Sequence, residues 1–165
     1  MQMKFAWALC ALMCVADASA CSLSSGITPF KPVVPTAQDG VAGDLQPPEL
    51  EVASVTRGVG TRHASCDDTG LLTVSVEWPR GTDYKLRELG FEFRVVAGDA
   101  GLAIFPKGPV AGRVDGRRSE FLFMWRDGPP SEQKPLDLQV EVRAVTPDNR
   151  RGPPALLRVT APPGA

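Results

Sequence analysis

The side chains with the widest chemical repertoire stand together in Arg62-His63-Ala64-Ser65-Cys66-Asp67-Asp68, which holds the only histidine of the chain. Were this segment extended, His63, Ser65 and Asp67 would point the same way. A Ser-His-Asp triad needs its base and orienting acid to converge on the nucleophile from defined angles, beside a separate oxyanion hole. Near-consecutive residues of one segment do not converge in that way, and no Gly-x-Ser-x-Gly elbow occurs in the chain. His63, Cys66, Asp67 and Asp68 could also be metal ligands. Structural zinc, however, takes four Cys/His ligands in spaced pairs. Calcium takes a dense cage of carboxylates and carbonyls. Asp67-Asp68-Thr69-Gly70 supplies two carboxylates and a turn, which is also the make-up of an ordinary loop between strands. The sequence therefore predicts a surface loop here, with no catalytic, metal-binding or cofactor-binding residues assigned.

Cysteine chemistry bears instead on the cellular address. Lys4, the apolar run from Phe5 to Val15 and Ala18-Ser19-Ala20 have the layout of a cleaved export signal over residues 1–20. The run falls short of the roughly 20 residues that cross a bilayer. Ala18-Ser19-Ala20-Cys21 resembles a bacterial lipoprotein box, in which the cysteine becomes the lipidated first residue; Ala18 stands where Leu is usual. The alternative is ordinary cleavage after Ala20 and pairing of Cys21 with Cys66 in an oxidising compartment. Parity favours the disulfide, since lipidation leaves Cys66 over. The tether-like sequence that follows favours the anchor. The expectation is an exported envelope protein, membrane-anchored through Cys21, with a soluble periplasmic or secreted form as its alternative.

The elements that would carry these residues are strands. Pro and Gly, sixteen each, fall mainly between apolar runs, and many short strands joined by breakers is the class that follows. Residues 21–46 show no sustained periodicity and repeated Pro, Gly and Ser, so they are expected to form a flexible linker. The folded part is expected over 47–163. Leu50, Val52 and Val55 predict an edge-like strand, and Leu72, Val74, Val76 and Trp78 a second. Phe91, Phe93 and Val95 form a third. Leu102 to Phe105, fenced by Pro106, is an edge strand or none. The unbroken run Phe121 to Trp125 predicts a strand covered on both faces. In Leu136 to Pro162 the clearest alternation, Leu136, Leu138, Val140, Val142 and Ala144 against Asp137, Gln139, Glu141 and Arg143, passes through Thr146–Gly152 to a return strand at Leu157 and Val159. Helix signals are limited to one turn between Tyr84 and Leu89.

From Pro47 to Pro163 this order of strands resembles a fibronectin type III domain. Pro47-Pro48 leads into the first strand. LTVSVEWP places Trp78 where the family has a buried tryptophan, and GFEFRVV resembles its third strand. LQVEVRAVTPDNRRGPP resembles its sixth strand, hairpin loop and the start of the last strand. The usual tyrosine of the sixth strand falls on Leu138, and Gly98–Glu120 and Gly128–Pro135 are longer than is usual. An immunoglobulin-like sandwich shares the same pattern. The resemblance implies an all-β, two-sheet antiparallel Greek-key sandwich of about seven strands.

Eighteen Lys+Arg against nineteen Asp+Glu leave no bulk charge for nucleic acid. In such a sandwich three connections share one end, and these would gather Arg80, Lys85 and Arg87, then Arg113, Arg117 and Arg118, then Arg150 and Arg151. Asp83, Glu88, Asp115 and Asp148 lie in the same loops and offset part of that charge. The expected function is that of a monomeric, non-enzymatic, envelope-associated binding or structural module, its partner an acidic glycan or a protein. A carbohydrate-binding module using an exposed Trp125 is the alternative, with a metal or hydrolytic site at His63–Asp68 the lesser one.

Overall fold

The computed structural model describes residues 23–37, 40–60, 66–98 and 102–165. Residues 1–20 and Cys21, together with His63 and Ser65, lie outside the described residues. The chain is all-β, with two antiparallel sheets in a sandwich-like arrangement. One sheet has the order β1 (Thr28–Pro29), β5 (Val110–Ala111), β4 (Gly90–Ala97), β8 (Leu136–Val145) and β9 (Ala155–Ala161). The other has the order β2 (Glu49–Thr56), β3 (Thr69–Glu77), β7 (Arg118–Arg126) and β6 (Arg113–Asp115). A single 3-10 turn, Leu86–Glu88, is the one helical element among the described residues. None of these elements is a helix long and apolar enough to cross a membrane.

The period-2 alternation of the sequence becomes the inner face of each sheet. Leu136, Leu138, Val140, Val142 and Ala144 are buried, as are Leu72, Val74, Val76 and Trp78. Phe91 and Phe93 of β4 meet Phe121 and Phe123 of β7 across the core, in edge-on or tilted contacts 4.8–5.7 Å apart. Such geometry suits the positive edges and negative faces of the rings. The Trp78 ring sits edge-on to Phe91, and its indole N–H donates to Thr82 Oγ1 at 2.7 Å, so a polar atom enters the core with a partner.

Expectations for two segments need correction, and an open alternative at a third closes. The apolar run Phe121 to Trp125 is not covered on both faces: Leu122 and Met124 are half-buried on the outer side, so the strand alternates like its neighbours. Of the two alternatives for Leu102 to Phe105, an edge strand or none, no strand forms; Ile104 is nonetheless buried and Phe105 stacks on Phe93. The expected free linker is the largest change. Thr28–Pro29 adds to the edge of β5, the Phe30 N–H donates to Pro109 O, and Ala42 and Leu45 are core residues. Gly90 makes this docking possible, because a Cβ there would collide with the Phe30 ring. The segment's own apolar content is too low to order it alone, whereas the sandwich supplies the surface on which a few apolar residues suffice.

Candidate functional site

The loop Thr146–Pro154 between β8 and β9 is the centre of the candidate site, and it is built from its own backbone. Thr146 and Asn149 are buried, the Thr146 N–H donates to Arg150 O, and the Arg150 N–H donates to Thr146 Oγ1. Asn149 takes φ +66°, the left-handed region that Asn tolerates better than most residues. The turn is thereby fixed, and it projects Arg150 and Arg151 in set directions.

Two further connections reach the same end of the molecule. Arg150 donates to the Tyr84 hydroxyl at 2.7 Å, joining the loop to the β3–β4 connection. Trp78 and Arg117 exchange bonds, the Trp78 N–H to Arg117 O and the Arg117 guanidinium to Trp78 O. The β6–β7 turn thus sits against the end of β3.

The basic residues at this pole fall into two kinds. Arg117 and Arg118 both bond to Glu77, Arg150 to Asp44 and Asp148, and Arg151 to Glu92. Of the four acids expected to offset the charge, only Asp148 pairs with an arginine among the described residues; Glu77, Glu92 and Asp44 come from outside those loops. Arg80, Lys85, Arg87 and Arg113 are exposed and make no ion pair among the described residues. The Arg150 hydrogen bond holds the Asp44 carboxyl below the usual aspartate range. That bond to Asp44, followed by the one to Asp148, raises Arg150 further into its charged form.

The chain's own N-terminal segment lies on this loop. The Val33 N–H donates to Pro147 O, Asn149 Nδ2 to Pro35 O, and the Ala42 N–H to Arg151 O. Val41 bridges Arg151 in parallel, and Leu45 packs 3.2 Å from where a Cβ on Gly152 would lie. Sequence reasoning missed Asp44 and Leu45 because their partners are more than a hundred residues away, and nothing local marks the pairing.

Elsewhere, Trp125 is buried and does not form an exposed aromatic shelf. Its ring lies over Gly70, its cross-strand neighbour, where any side chain would meet it. Asp67 and Asp68 form part of the turn before β3, with backbone carbonyls accepting from Val59, Gly60 and Asp127. Cys66 is disulfide-bonded; the other cysteines, Cys10, Cys14 and Cys21, all fall outside the described residues. At the opposite pole Arg57, unremarked in the sequence, forms an ion pair with Asp127 whose side chains are 1% and 2% exposed. It also donates to Lys134 O at 3.1 Å, and the Gly58 N–H donates to the same carboxylate. With both charges neutralised and hydrogen-bonded, this pair has the make-up of a structural clamp. On the outer face of the five-stranded sheet a cleft of about 340 Å³ is lined by Glu92, Arg94, Glu141, Arg143 and Arg151, all mutually paired.

Against known proteins, the chain matches no family model, no curated protein and no solved structure. The loop pole therefore stands on its own geometry. It offers guanidinium forks on a rigid turn, beside exposed unpaired cations, which is chemistry for carboxylates and other oxyanions.

Proposed function

We propose that this chain is an exported, non-enzymatic binding module of the fibronectin type III-like, Greek-key kind, whose loop pole engages an acidic partner in the cell envelope. The fold reading is supported by the sheet orders β2-β3-β7-β6 and β5-β4-β8-β9, in which β3 to β4 and β7 to β8 cross between sheets. The observation that carries the function is the fixed Arg150–Arg151 turn, joined through the Tyr84 hydroxyl to the β3–β4 connection, which carries Arg80, Lys85 and Arg87, exposed and without an ion pair among the described residues, as Arg113 is on β6. Loops presented by a rigid sandwich are a common place for recognition. An acidic glycan and an acidic protein face are both ligands of this chemistry.

The disulfide at Cys66 supports an oxidising compartment. Removal of residues 1–20 would leave Cys21 as the one other cysteine, and a sulfur carrying a lipid thioether cannot also enter a disulfide. The bond therefore favours the soluble, exported branch over a lipid anchor. Intact mass of the mature protein separates them: a loss of two hydrogens without acyl chains is expected, and acyl addition at Cys21 would restore the lipoprotein reading.

The binding reading is tested by changing Arg80, Lys85, Arg87 and Arg113 together to Ser and repeating a pull-down from envelope extract at low salt. Partners should be lost, and in the wild type they should fade as salt is raised. The same partners in the same amounts from both proteins would overturn it.

A further inference from the structure

The β8–β9 loop already holds a peptide. Residues 41–45, Val-Ala-Gly-Asp-Leu, lie against it in a mode that combines backbone and side-chain recognition. The Ala42 N–H donates to Arg151 O at 2.8 Å and Val41 forms a parallel bridge to Arg151. Asp44 receives both branches of the Arg150 guanidinium, at 2.8 and 3.1 Å. Leu45 is buried and lies against Gly152, 3.2 Å from where a Cβ there would stand. Arg150 is itself aimed by Asp148 and by the Tyr84 hydroxyl. This is a two-point socket, with a fork for a carboxylate and an apolar seat for the next side chain.

We propose that this socket is a peptide-recognition site for an acidic-apolar pair of the Asp-Leu type, and that residues 41–45 occupy it as an internal competitor. The proposal rests on the binding reading above and names the partner class of the same pole: an acidic polypeptide segment. Both halves of the contact are needed for selectivity. The carboxylate matches the planar fork, which an amide of the same shape does not neutralise. The leucine contributes burial that salt does not screen. A tethered segment acts at an effective concentration in the millimolar range, so the site opens to an external segment only when that copy is displaced.

The probe is a fluorescein-labelled synthetic peptide of residues 40–48, Gly-Val-Ala-Gly-Asp-Leu-Gln-Pro-Pro, read by anisotropy at low micromolar protein. The full chain carrying Asp44→Asn with Leu45→Ala should bind it at least about tenfold more tightly than wild type, whose socket is filled. Adding Arg150→Ser to that variant should abolish binding, and so should replacing the aspartate of the peptide by asparagine. Should the double variant melt too low to assay, Asp44→Asn alone frees the Arg150 fork and weakens the hold of the internal segment, and should bind the peptide more tightly than wild type but less tightly than a variant that also empties the leucine seat. A rise in melting temperature on adding peptide to either variant, absent with the asparagine peptide, supports the same conclusion. Equal affinity for wild type and variants, or binding indifferent to the aspartate and to Arg150, overturns the proposal. Envelope partners captured by the wild type and lost from the Arg80, Lys85, Arg87 and Arg113 variant, alongside such a failure, would leave the basic pole standing without the socket.

Discussion

At the scale of single residues, two side chains govern whether the sandwich stands, and only one is visible in the sequence. Trp78 is buried with its indole N–H satisfied by Thr82, so Trp78→Ala removes a large ring from the core and leaves a cavity beside Phe91. A loss of about 3–5 kcal/mol is expected, measured by urea denaturation. Unchanged stability would place Trp78 on the surface. Arg57 looks like any loop arginine, yet it neutralises Asp127 out of contact with water. Arg57→Ala leaves a buried carboxylate without its cation, and should also cost about 3–5 kcal/mol. Burial by itself would push the Asp127 carboxyl up; the Arg57 and Gly58 hydrogen bonds outweigh it and leave it below the usual aspartate value. A folded-state pKa below the unfolded one gives stability that is complete above the unfolded value and lost as pH falls through the folded one. Melting temperature should therefore drop as pH goes below about 4, and Asp127→Asn should flatten that part of the profile while lowering stability at pH 7. An unaltered acid limb in Asp127→Asn would show that other carboxylates govern it.

At the scale of elements, alternation and turn chemistry carried the main strands, because a half-buried strand records its inner face in every second residue. Leu136 to Ala144 and Leu72 to Trp78 are examples, and the single helical turn between Tyr84 and Leu89 was readable from its few local contacts. The short strands at Val110–Ala111 and Arg113–Asp115 were not, since two or three residues are too few to show a period. Nor was the N-terminal segment. Phe30, Ala42 and Leu45 are isolated among Pro, Gly and Ser; Ala42 and Leu45 are buried and Phe30 half-buried against Gly90, by residues distant in sequence. The two alternatives differ in a measurable way. A chain beginning at Leu45 should melt at least about 5 °C below a full chain carrying Cys21→Ser and Cys66→Ser, so that loss of the disulfide is common to both. Equal melting would return residues 23–44 to the status of a free tether.

At the scale of the whole molecule, a chain with nearly balanced charge gathers basic side chains at one pole by topology. The sequence names the basic residues of three loops, but only the fold shows which are already engaged. Arg150 and Arg151 were legible as loop cations; that Asp44 would fill the Arg150 fork was not, because a contact across 106 residues leaves no local pattern. The molecule that results presents one pole partly closed by its own N-terminal segment. At the other, the buried Arg57–Asp127 pair holds the loops after β2 and β7 together.

The docked segment is the feature on which this account turns, and amide hydrogen exchange measures it directly. Ala42 bonds to Arg151 O and Val33 to Pro147 O, so both amides should exchange at least about a hundredfold more slowly than in an unstructured peptide. Arg150→Ser should weaken the protection of Ala42 while leaving the β8 amides, such as that of Val140, unchanged. Ala42 and Val33 exchanging at the free-peptide rate in the wild-type chain would contradict the account, since the socket would then be empty.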